Sequence, residues 1–284
     1  EDDGEDGPFA GLSLATFEPL GVLGFGSSAQ VRLMRDVDGG GELRAVKSIY
    51  KKRDGKPLEE KRAARVVEEL AILNAAHDHP FIVGVHGAFE DAHCYHIVLE
   101  YCSNGSLAVW LGDEPFAEEI GRLAAAEMVL ALEHLHSLRI VYRDLKPENC
   151  LVRASGHIVL ADFGISRRLE GGEGLPPPAS ATGGGTASME QQQEQERERR
   201  RQGHSLGGAY TLVGTPGYMA PEVISLIHSP ERSVEYSLPV DWWALGVMIH
   251  LLLTLEEALE HEEIIQLLRV SPDQAASRTR ECLS

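Results

Sequence analysis

Residues Tyr142 to Asn149 read Tyr-Arg-Asp-Leu-Lys-Pro-Glu-Asn, and the organisation of the whole chain can be worked out from this stretch. Within it, Asp144 offers a carboxylate that can accept a proton, Lys146 offers a cation, and the amide oxygen of Asn149 can reach a metal ion. The apolar run Cys150-Leu151-Val152 follows directly. This order predicts a loop of polar side chains that a buried strand holds in place.

The composition is that of an ordinary globular protein. The 284 residues suit one large domain or two small lobes, with 43% hydrophobic and 25% charged residues. The formal net charge of −18 argues against nucleic-acid binding, which needs clustered lysines and arginines. The same charge has two interpretations, a solvated acidic surface or a surface that attracts basic peptide substrates.

Cysteine usage and apolar runs bear on the compartment. The four cysteines, Cys94, Cys102, Cys150 and Cys282, show neither paired spacing nor a metal-binding pattern. This usage is typical of reduced thiols, so we expect an intracellular and cytoplasmic protein. The apolar stretch from Trp242 to Leu255 is too short to span a membrane and predicts a buried helix. We therefore expect no membrane span.

The N-terminal part of the chain predicts a β-hairpin with a glycine-rich turn. Residues 17–23 and 31–34 have strand composition, and Gly24-Phe-Gly-Ser-Ser-Ala-Gln30 lies between them. A dinucleotide-binding glycine motif would open a helix, and a P-loop would continue with Gly-Lys-Ser/Thr, so the context excludes both. Two interpretations remain open, a flexible turn that lies close over phosphates and a plain β-hairpin.

A lysine in the next predicted strand needs a charged partner. Residues 43–50 form that strand, and Lys47 stands there among apolar neighbours. The helix predicted for residues 58–76 offers two glutamates, Glu68 and Glu69. Both have the right chemistry for an ion pair with Lys47.

A second acidic loop follows the first at hairpin distance. Asp162 lies in Ala161-Asp-Phe-Gly164, thirteen residues after Asn149, with strand-like runs at 151–152 and 158–160 between them. A hairpin of this length returns Asp162 to the side of Asn149. Carboxylate and amide oxygens are suitable ligands for Mg²⁺.

Taken in this order, the motifs resemble those of the eukaryotic protein kinase family, of the Ser/Thr type. The Tyr-Arg-Asp start and the later Asp241-Trp-Trp243 make the AGC group, the cyclic-nucleotide- and lipid-regulated kinases, the most similar part of that family. The resemblance implies an ATP-dependent protein serine/threonine kinase. Such an enzyme transfers the γ-phosphate of Mg-ATP to Ser/Thr hydroxyls of protein substrates.

The resemblance also implies an α+β, bilobal protein-kinase fold. Residues 1–16 would form an acidic disordered tail, and residues 17–284 the kinase domain. A small β-rich N-lobe with helix C would cover residues 17–101. A mainly helical C-lobe would cover residues 102–284 and be incomplete at its C-terminal end.

Roles carry over position by position. Asp144 would be the catalytic base, and Lys146 would contact the γ-phosphate. Asn149 and Asp162 would hold Mg²⁺. Lys47 would bind phosphates and pair with Glu69, which the resemblance favours over Glu68. The positions that would contact ATP are Leu23, Gly24, Phe25, Gly26, Ser27, Ser28, Ala29, Gln30, Val31, Ala45, Lys47, Glu69, Leu99, Glu100, Cys102, Ser106, Leu151 and Asp162. Ala29 departs from the family, which usually has a third glycine there.

The segment between Gly164 and Ala220 is longer than in most kinases, at 55 residues. Residues 170–207 are rich in Gly, Pro, Gln, Glu and Arg, which predicts a disordered insertion. The resemblance places Thr211 at the position that an upstream activating kinase phosphorylates in AGC kinases. Arg65, Arg143 and Arg167 would receive that phosphate. Thr215 would bond to Asp144 and Lys146.

The C-terminal end departs most from the family. Leu255 passes directly into an acidic stretch, so part of the large lobe would be deleted. Glu222 would then be buried without its usual arginine, unless Arg278 or Arg280 replaces it. One alternative is therefore a catalytically weak, truncated fragment that acts as an ATP- or protein-binding module. Another, a small-molecule phosphotransferase, is disfavoured by residues 214–222, which resemble a peptide-docking segment.

Overall fold

The described part of the chain consists mainly of strands before residue 101 and mainly of helices after it. The computed structural model describes residues 12–26, 29–53, 56–57, 60–169, 214–226 and 237–256. The strands are β1 (Phe17–Phe25), β2 (Ala29–Asp36), β3 (Leu43–Tyr50), β4 (Lys52–Arg53), β5 (Lys56–Pro57), β6 (Val85–Glu90), β7 (Cys94–Glu100), β8 (Ile140–Val141), β9 (Cys150–Val152), β10 (Ile158–Leu160) and β11 (Arg167–Arg168). The helices are α1 (Glu60–Ala76), α2 (Leu107–Trp110), α3 (Glu118–Ser137), α4 (Pro221–Leu226) and α5 (Pro239–Thr254).

Five strands form an antiparallel sheet in the order β1-β2-β3-β7-β6. The central strand β3 pairs with β2 and β7, which places Lys47 between Val31 and Ile97. The turn before β3 uses Gly40 and Gly41, both at φ 80°, a conformation that glycine adopts readily. The sheet therefore carries Lys47 on its central strand, beside the glycine-rich hairpin of β1 and β2.

Alternation along the central strands divides the small lobe into two apolar clusters. Val46 and Val98 belong to a small separate cluster with Phe17. Ile49 and Ile97 belong to the main core, which continues into the large lobe. The period of two in a strand accounts for this division, because neighbouring side chains point to opposite faces. Lys47 shares the face that borders the main core.

Helix α3 contributes a row of buried apolar side chains to the core of the large lobe. Met128, Leu132 and Leu135 recur at helical spacing and are fully buried. Ile120 and Leu123 lie on the same helix and are 54% and 52% exposed. The apolar stripe of α3 is therefore wider than the surface that covers it within the described residues.

Helix α5 packs against α3, and its buried acidic residue anchors a loop of the large lobe. Asp241 is completely buried, and its carboxylate accepts hydrogen bonds from the backbone N–H of Tyr142 at 2.9 Å and of Arg143 at 2.8 Å. It also bonds to His136 Nε2 at 2.8 Å. A buried carboxylate is stable only with such a complete set of partners.

Among the described residues, no helix has both the length and the apolarity needed to cross a bilayer.

Several predicted boundaries differ from the observed ones. The helix predicted for 58–76 is α1, which begins at Glu60. Residues Leu14–Thr16, which were assigned to the disordered tail, form a short 3-10 helix. The predicted insertion at 170–207 and the C-terminal residues 257–284 lie outside the described residues.

We expect Asp241→Asn to lower the free energy of unfolding by about 3 kcal/mol, because an amide group cannot accept all three hydrogen bonds. Chemical denaturation of the full chain measures this change. Asp78→Asn is the matched control, since the Asp78 side chain is 91% exposed. An Asp241→Asn protein as stable as the control variant would show that the carboxylate is not needed to hold the loop.

Candidate active site

A cleft of about 600 Å³ lies between the glycine-rich hairpin and the loops of the large lobe. Three parts of the chain meet there: the tip of the hairpin, the polar face of β3 and α1, and the loops around β9 and β10. The lining residues are Gly24, Phe25, Gly26, Ala29, Val31, Lys47, Ile49, Arg65, Val66, Glu69, Glu148, Asn149, Asp162, Gly164 and Ile165. The cleft thus combines residues that the sequence placed in separate motifs.

Lys47 connects the two lobes inside this cleft. Its Nζ donates to Glu69 Oε1 at 2.6 Å and to Asp162 Oδ1 at 2.7 Å. Burial lowers the pKa of Lys47, but the two carboxylates outweigh burial and raise this pKa well above its usual value. Lys47 is therefore a permanent cation. Glu69, and not Glu68, is its partner on α1.

The two carboxylates differ in their surroundings. Glu69 has a side chain only 5% exposed, and burial raises its pKa while Lys47 opposes the change. Burial also acts to raise the pKa of Asp162, but attraction to Lys47 reverses the outcome and leaves this pKa lowered. The Asp162 side chain is 54% exposed. Asp162 is thus an ionised carboxylate that is open to the cleft.

Asp144 lies at the centre of a cluster of donors. Its Oδ2 accepts from Lys146 Nζ at 2.9 Å and from Asn149 Nδ2 at 2.7 Å. Lys146 Nζ also donates to Thr215 Oγ1 at 3.0 Å, and this hydroxyl donates to Asp144 Oδ1 at 3.4 Å. The predicted contact of Thr215 with Asp144 and Lys146 is confirmed. Three side chains therefore fix the direction of the Asp144 carboxylate.

The oxygen atoms near Asn149 and Asp162 fit a Mg²⁺ ion. Asn149 uses its Nδ2 for Asp144, which leaves the amide oxygen as its acceptor. Asp162 uses Oδ1 for Lys47 and for the backbone N–H of Gly164, whereas Oδ2 makes no hydrogen bond with the described residues. Hard oxygen donors of this kind are the ligands that Mg²⁺ prefers.

Aromatic packing fixes the backbone on which Asp162 sits. The rings of Tyr142 and Phe163 pack edge to face with centroids 5.2 Å apart, and both side chains are buried. Tyr142 donates its hydroxyl hydrogen to the carbonyl of Ala161. Asp162 itself has φ 53°, in the left-handed region that a non-glycine residue adopts only when its surroundings hold it there.

Backbone pairing brings four of the predicted ATP contacts together in two pairs. Ala45 pairs with Leu99 across β3 and β7, and Ser106 forms an isolated bridge with Leu151. Cys102 is 6% exposed, and burial raises the pKa of its thiol to about 12. Cys102 is thus an unreactive packing residue.

Only some of the predicted ATP contacts around the glycine-rich turn line the cleft. Ala29 and Val31 line it, whereas Gln30 lies between them on the other face of β2 and accepts from Arg32 Nε at 2.8 Å. The side chain of Gln30 therefore does not line the cleft. Leu23 is 46% exposed and does not line the cleft. Ser27 and Ser28 lie outside the described residues.

An ion pair that the sequence did not predict joins the lobes behind the cleft. Arg153 binds the Glu100 carboxylate through two nitrogens, Nε to Oε1 at 2.5 Å and Nη2 to Oε2 at 2.8 Å. It also donates to the carbonyl of Pro80, and Glu100 Oε2 accepts from the backbone N–H of Gly84 at 3.2 Å. No local pattern marks Arg153, because its partners lie 53 and 73 positions away.

The segment around the predicted phosphorylation site is described only at its two ends. Thr211 lies outside the described residues. Arg143 donates through Nε to the carbonyl of Ile165 at 2.7 Å, and Arg167 lies on β11 opposite Val141. Glu222, which was expected to be buried, is exposed at the start of α4. The predicted cost of a buried unpaired charge therefore does not arise.

Comparison with known proteins assigns the chain to the same family that its motifs resemble. A family model described as the protein kinase domain matches residues 17–280. The chain belongs to the protein kinase family. It is 35% identical over 235 residues to serine/threonine-protein kinase Sgk1 of Xenopus tropicalis, covering 82% of this chain and 46% of that protein.

Other relatives of this kinase chain include cyclic-nucleotide-dependent enzymes. It is 33% identical over 239 residues to cAMP-dependent protein kinase type 3 of Saccharomyces cerevisiae, covering 84% of this chain and 48% of that protein. It is 32% identical over 237 residues to the cAMP-dependent protein kinase catalytic subunit of Dictyostelium discoideum, covering 83% and 29%. The resemblance to Ser/Thr kinases of the AGC group is confirmed. The chain spans less than half the length of these relatives.

We expect Glu69→Gln to weaken the binding of Mg-ATP by about 10- to 100-fold, because Lys47 loses a charged hydrogen-bond partner worth roughly 1.5–3 kcal/mol. Isothermal calorimetry on the full chain measures the dissociation constant. Glu68→Gln, one position earlier on α1, is the matched control and should bind as the unmodified chain does. Equal losses in both variants would contradict the assignment of Glu69.

Proposed function

We propose that this chain is a protein serine/threonine kinase that transfers the γ-phosphate of Mg-ATP to protein hydroxyls. The observation that carries the proposal is the position of Asp144. Its carboxylate is held by Lys146, Thr215 and Asn149, and Asn149 lines the same cleft as Asp162 and Lys47. A base, a cation and metal ligands are the groups that phosphoryl transfer requires.

Each of these residues has a task that follows from its chemistry. Asp144 would accept the proton of the substrate hydroxyl, and its fixed direction reduces the cost of aligning that hydroxyl. Lys146 and Lys47 would neutralise phosphate oxygens as charge develops. Asn149 and Asp162 would hold Mg²⁺, which supplies Lewis-acid polarisation of phosphate oxygens. Lys47 is kept in position by Glu69 throughout.

The acceptor is a peptide hydroxyl in this proposal. Lys146 is the residue that Ser/Thr kinases have at this position, and it contacts Thr215, which directly precedes the short 3-10 helix Pro216–Tyr218. The net charge of −18 favours basic peptide substrates, because opposite charges steer encounter. We place the enzyme inside the cell, in the cytoplasm, where ATP and reduced thiols occur together.

Phosphorylation of Thr211 by an upstream kinase would regulate the enzyme in this proposal. Arg143 directly precedes Asp144, Arg167 follows Asp162 on β11, and Arg65 lines the cleft on α1. A phosphate bound by these arginines would fix α1 relative to the loop of Asp144. The phosphate on Thr211 would therefore fix Glu69 on α1, and Glu69 would hold Lys47 in line with Asp144.

We expect Asp144→Asn to reduce kcat for a basic Ser-containing peptide by about 10²- to 10⁴-fold, the range that a general base contributes. Transfer of labelled phosphate from Mg-ATP measures the rate. Asp113→Asn is the control, because Asp113 is an exposed carboxylate outside the cleft. If Asp144→Asn transfers phosphate as fast as the control, the kinase assignment is wrong; Mg-ATP binding without transfer in the unmodified chain would instead support a binding module.

We expect Thr211→Ala to reduce kcat by roughly tenfold or more after treatment with an activating kinase, since the arginines lose their anionic partner. Ser205→Ala is the control in the same segment and should be activated normally. Phosphatase treatment of the unmodified chain should reproduce the loss. Full activity of Thr211→Ala would remove the proposed switch and leave the kinase assignment untouched.

A further inference from the structure

Three potential metal ligands converge at the turn between β6 and β7, on the far side of the sheet from Lys47. They are Asp91 in the turn, Cys94 at the start of β7, and His96 two positions later. Cys94 and His96 share one face of the strand, because side chains alternate along it. The ligand atoms of all three residues lie within 4.8 Å of one another.

His96 is already oriented as metal-binding histidines are. Its side chain is 2% exposed, and its ring stacks on Phe89 with centroids 4.6 Å apart. Its Nδ1 bonds to the Ser48 hydroxyl at 2.9 Å, and its Nε2 points at Asp91 Oδ2 at 3.0 Å. A hydrogen bond on one ring nitrogen that directs the other toward a ligand position is typical of metal sites.

Asp91 is fixed by the turn and keeps one oxygen for this cluster. Its Oδ1 accepts from the backbone N–H groups of His93 and Cys94, both at 2.7 Å. The other oxygen, Oδ2, faces His96 and remains in reach of solvent, since the side chain is 36% exposed. The backbone N–H of Asp91 also donates to the carbonyl of Cys94 at 3.0 Å, which closes the turn. The turn therefore presents Oδ2 in a defined direction.

The hydrogen bond between Asp91 and His96 does not account for the position of the Cys94 thiol beside them. Cys94 is 8% exposed, and its thiol makes no hydrogen bond with the described residues. A direct Asp91–His96 hydrogen bond needs no cysteine beside it. A metal ion between Asp91 and His96 would use the Cys94 sulfur as its third ligand.

We propose that Asp91, Cys94 and His96 form a Zn²⁺ site, independent of the proposed kinase function. Carboxylate, thiolate and imidazole are all zinc ligands, and water from the open side of Asp91 would complete a tetrahedral set. Burial raises the pKa of the Cys94 thiol, so the free thiol keeps its proton at neutral pH. Binding then replaces the S–H bond by a Zn–S bond and releases one proton per ion.

The test uses the full chain, freed of metals by a chelator and titrated with Co²⁺ in excess Mg²⁺. The excess Mg²⁺ occupies the oxygen ligands of the cleft. We expect a thiolate-to-cobalt charge-transfer band that saturates at one ion per chain and disappears when Zn²⁺ displaces Co²⁺. Absence of this band in the unmodified chain would overturn the proposal.

Variants assign the band to individual residues. Cys94→Ser should abolish it, and Cys282→Ser, a cysteine distant in sequence, should leave it unchanged. Asp91→Asn retains an Oδ1 that can accept from the turn, so the variant should fold and lose affinity. Ser48→Ala should weaken Zn²⁺ binding by roughly 10- to 100-fold, as loss of an orienting hydrogen bond does. A band that survives Cys94→Ser or disappears in Cys282→Ser would contradict the site.

Discussion

The buried carboxylate of Asp241 holds the loop that begins at Tyr142 to the large lobe. Its hydrogen bonds with Tyr142, Arg143 and His136 satisfy a charge that has no access to solvent. Arg143 has φ 70°, a conformation that costs energy for a residue with a side chain. The carboxylate therefore stabilises a backbone shape that the loop would not adopt alone, and Asp144 is the next residue along it.

Two ionic contacts then join the lobes on opposite sides of the cleft. Lys47 binds Asp162 inside the cleft, and Arg153 binds Glu100 outside the lining of the cleft. The two contacts differ in geometry. Lys47 Nζ is shared between two carboxylates, whereas Arg153 binds the single Glu100 carboxylate through two nitrogens, an arrangement that fixes its direction. Together they limit how far the lobes can separate.

The sequence predicts the parts of the site that lie close together along the chain. It does not predict contacts between distant parts of the chain or which residues become buried. Spacing predicts that Asp144, Asn149 and Asp162 lie near one another, because a loop and a hairpin of set length can bring them together in few ways. The exposure of Ile120 and Leu123 cannot be predicted in this way, since periodicity identifies a helix face without showing what covers it. Arg153 and the cluster at Asp91 were missed because their partners come from distant strands or from a turn whose shape no motif encodes.

The contacts that build the site span long stretches of chain. Lys47 and Asp162 are 115 residues apart, His136 and Asp241 are 105 apart, and Lys146 and Thr215 are 69 apart. The strands β1, β2 and β3, by contrast, pair with immediate neighbours. Closing a long loop costs more entropy than closing a short one, so such contacts form late in folding. A refolding chain would therefore recover the β1-β2-β3 part of its sheet before the contacts that join Lys47, Asp162, Lys146 and Thr215.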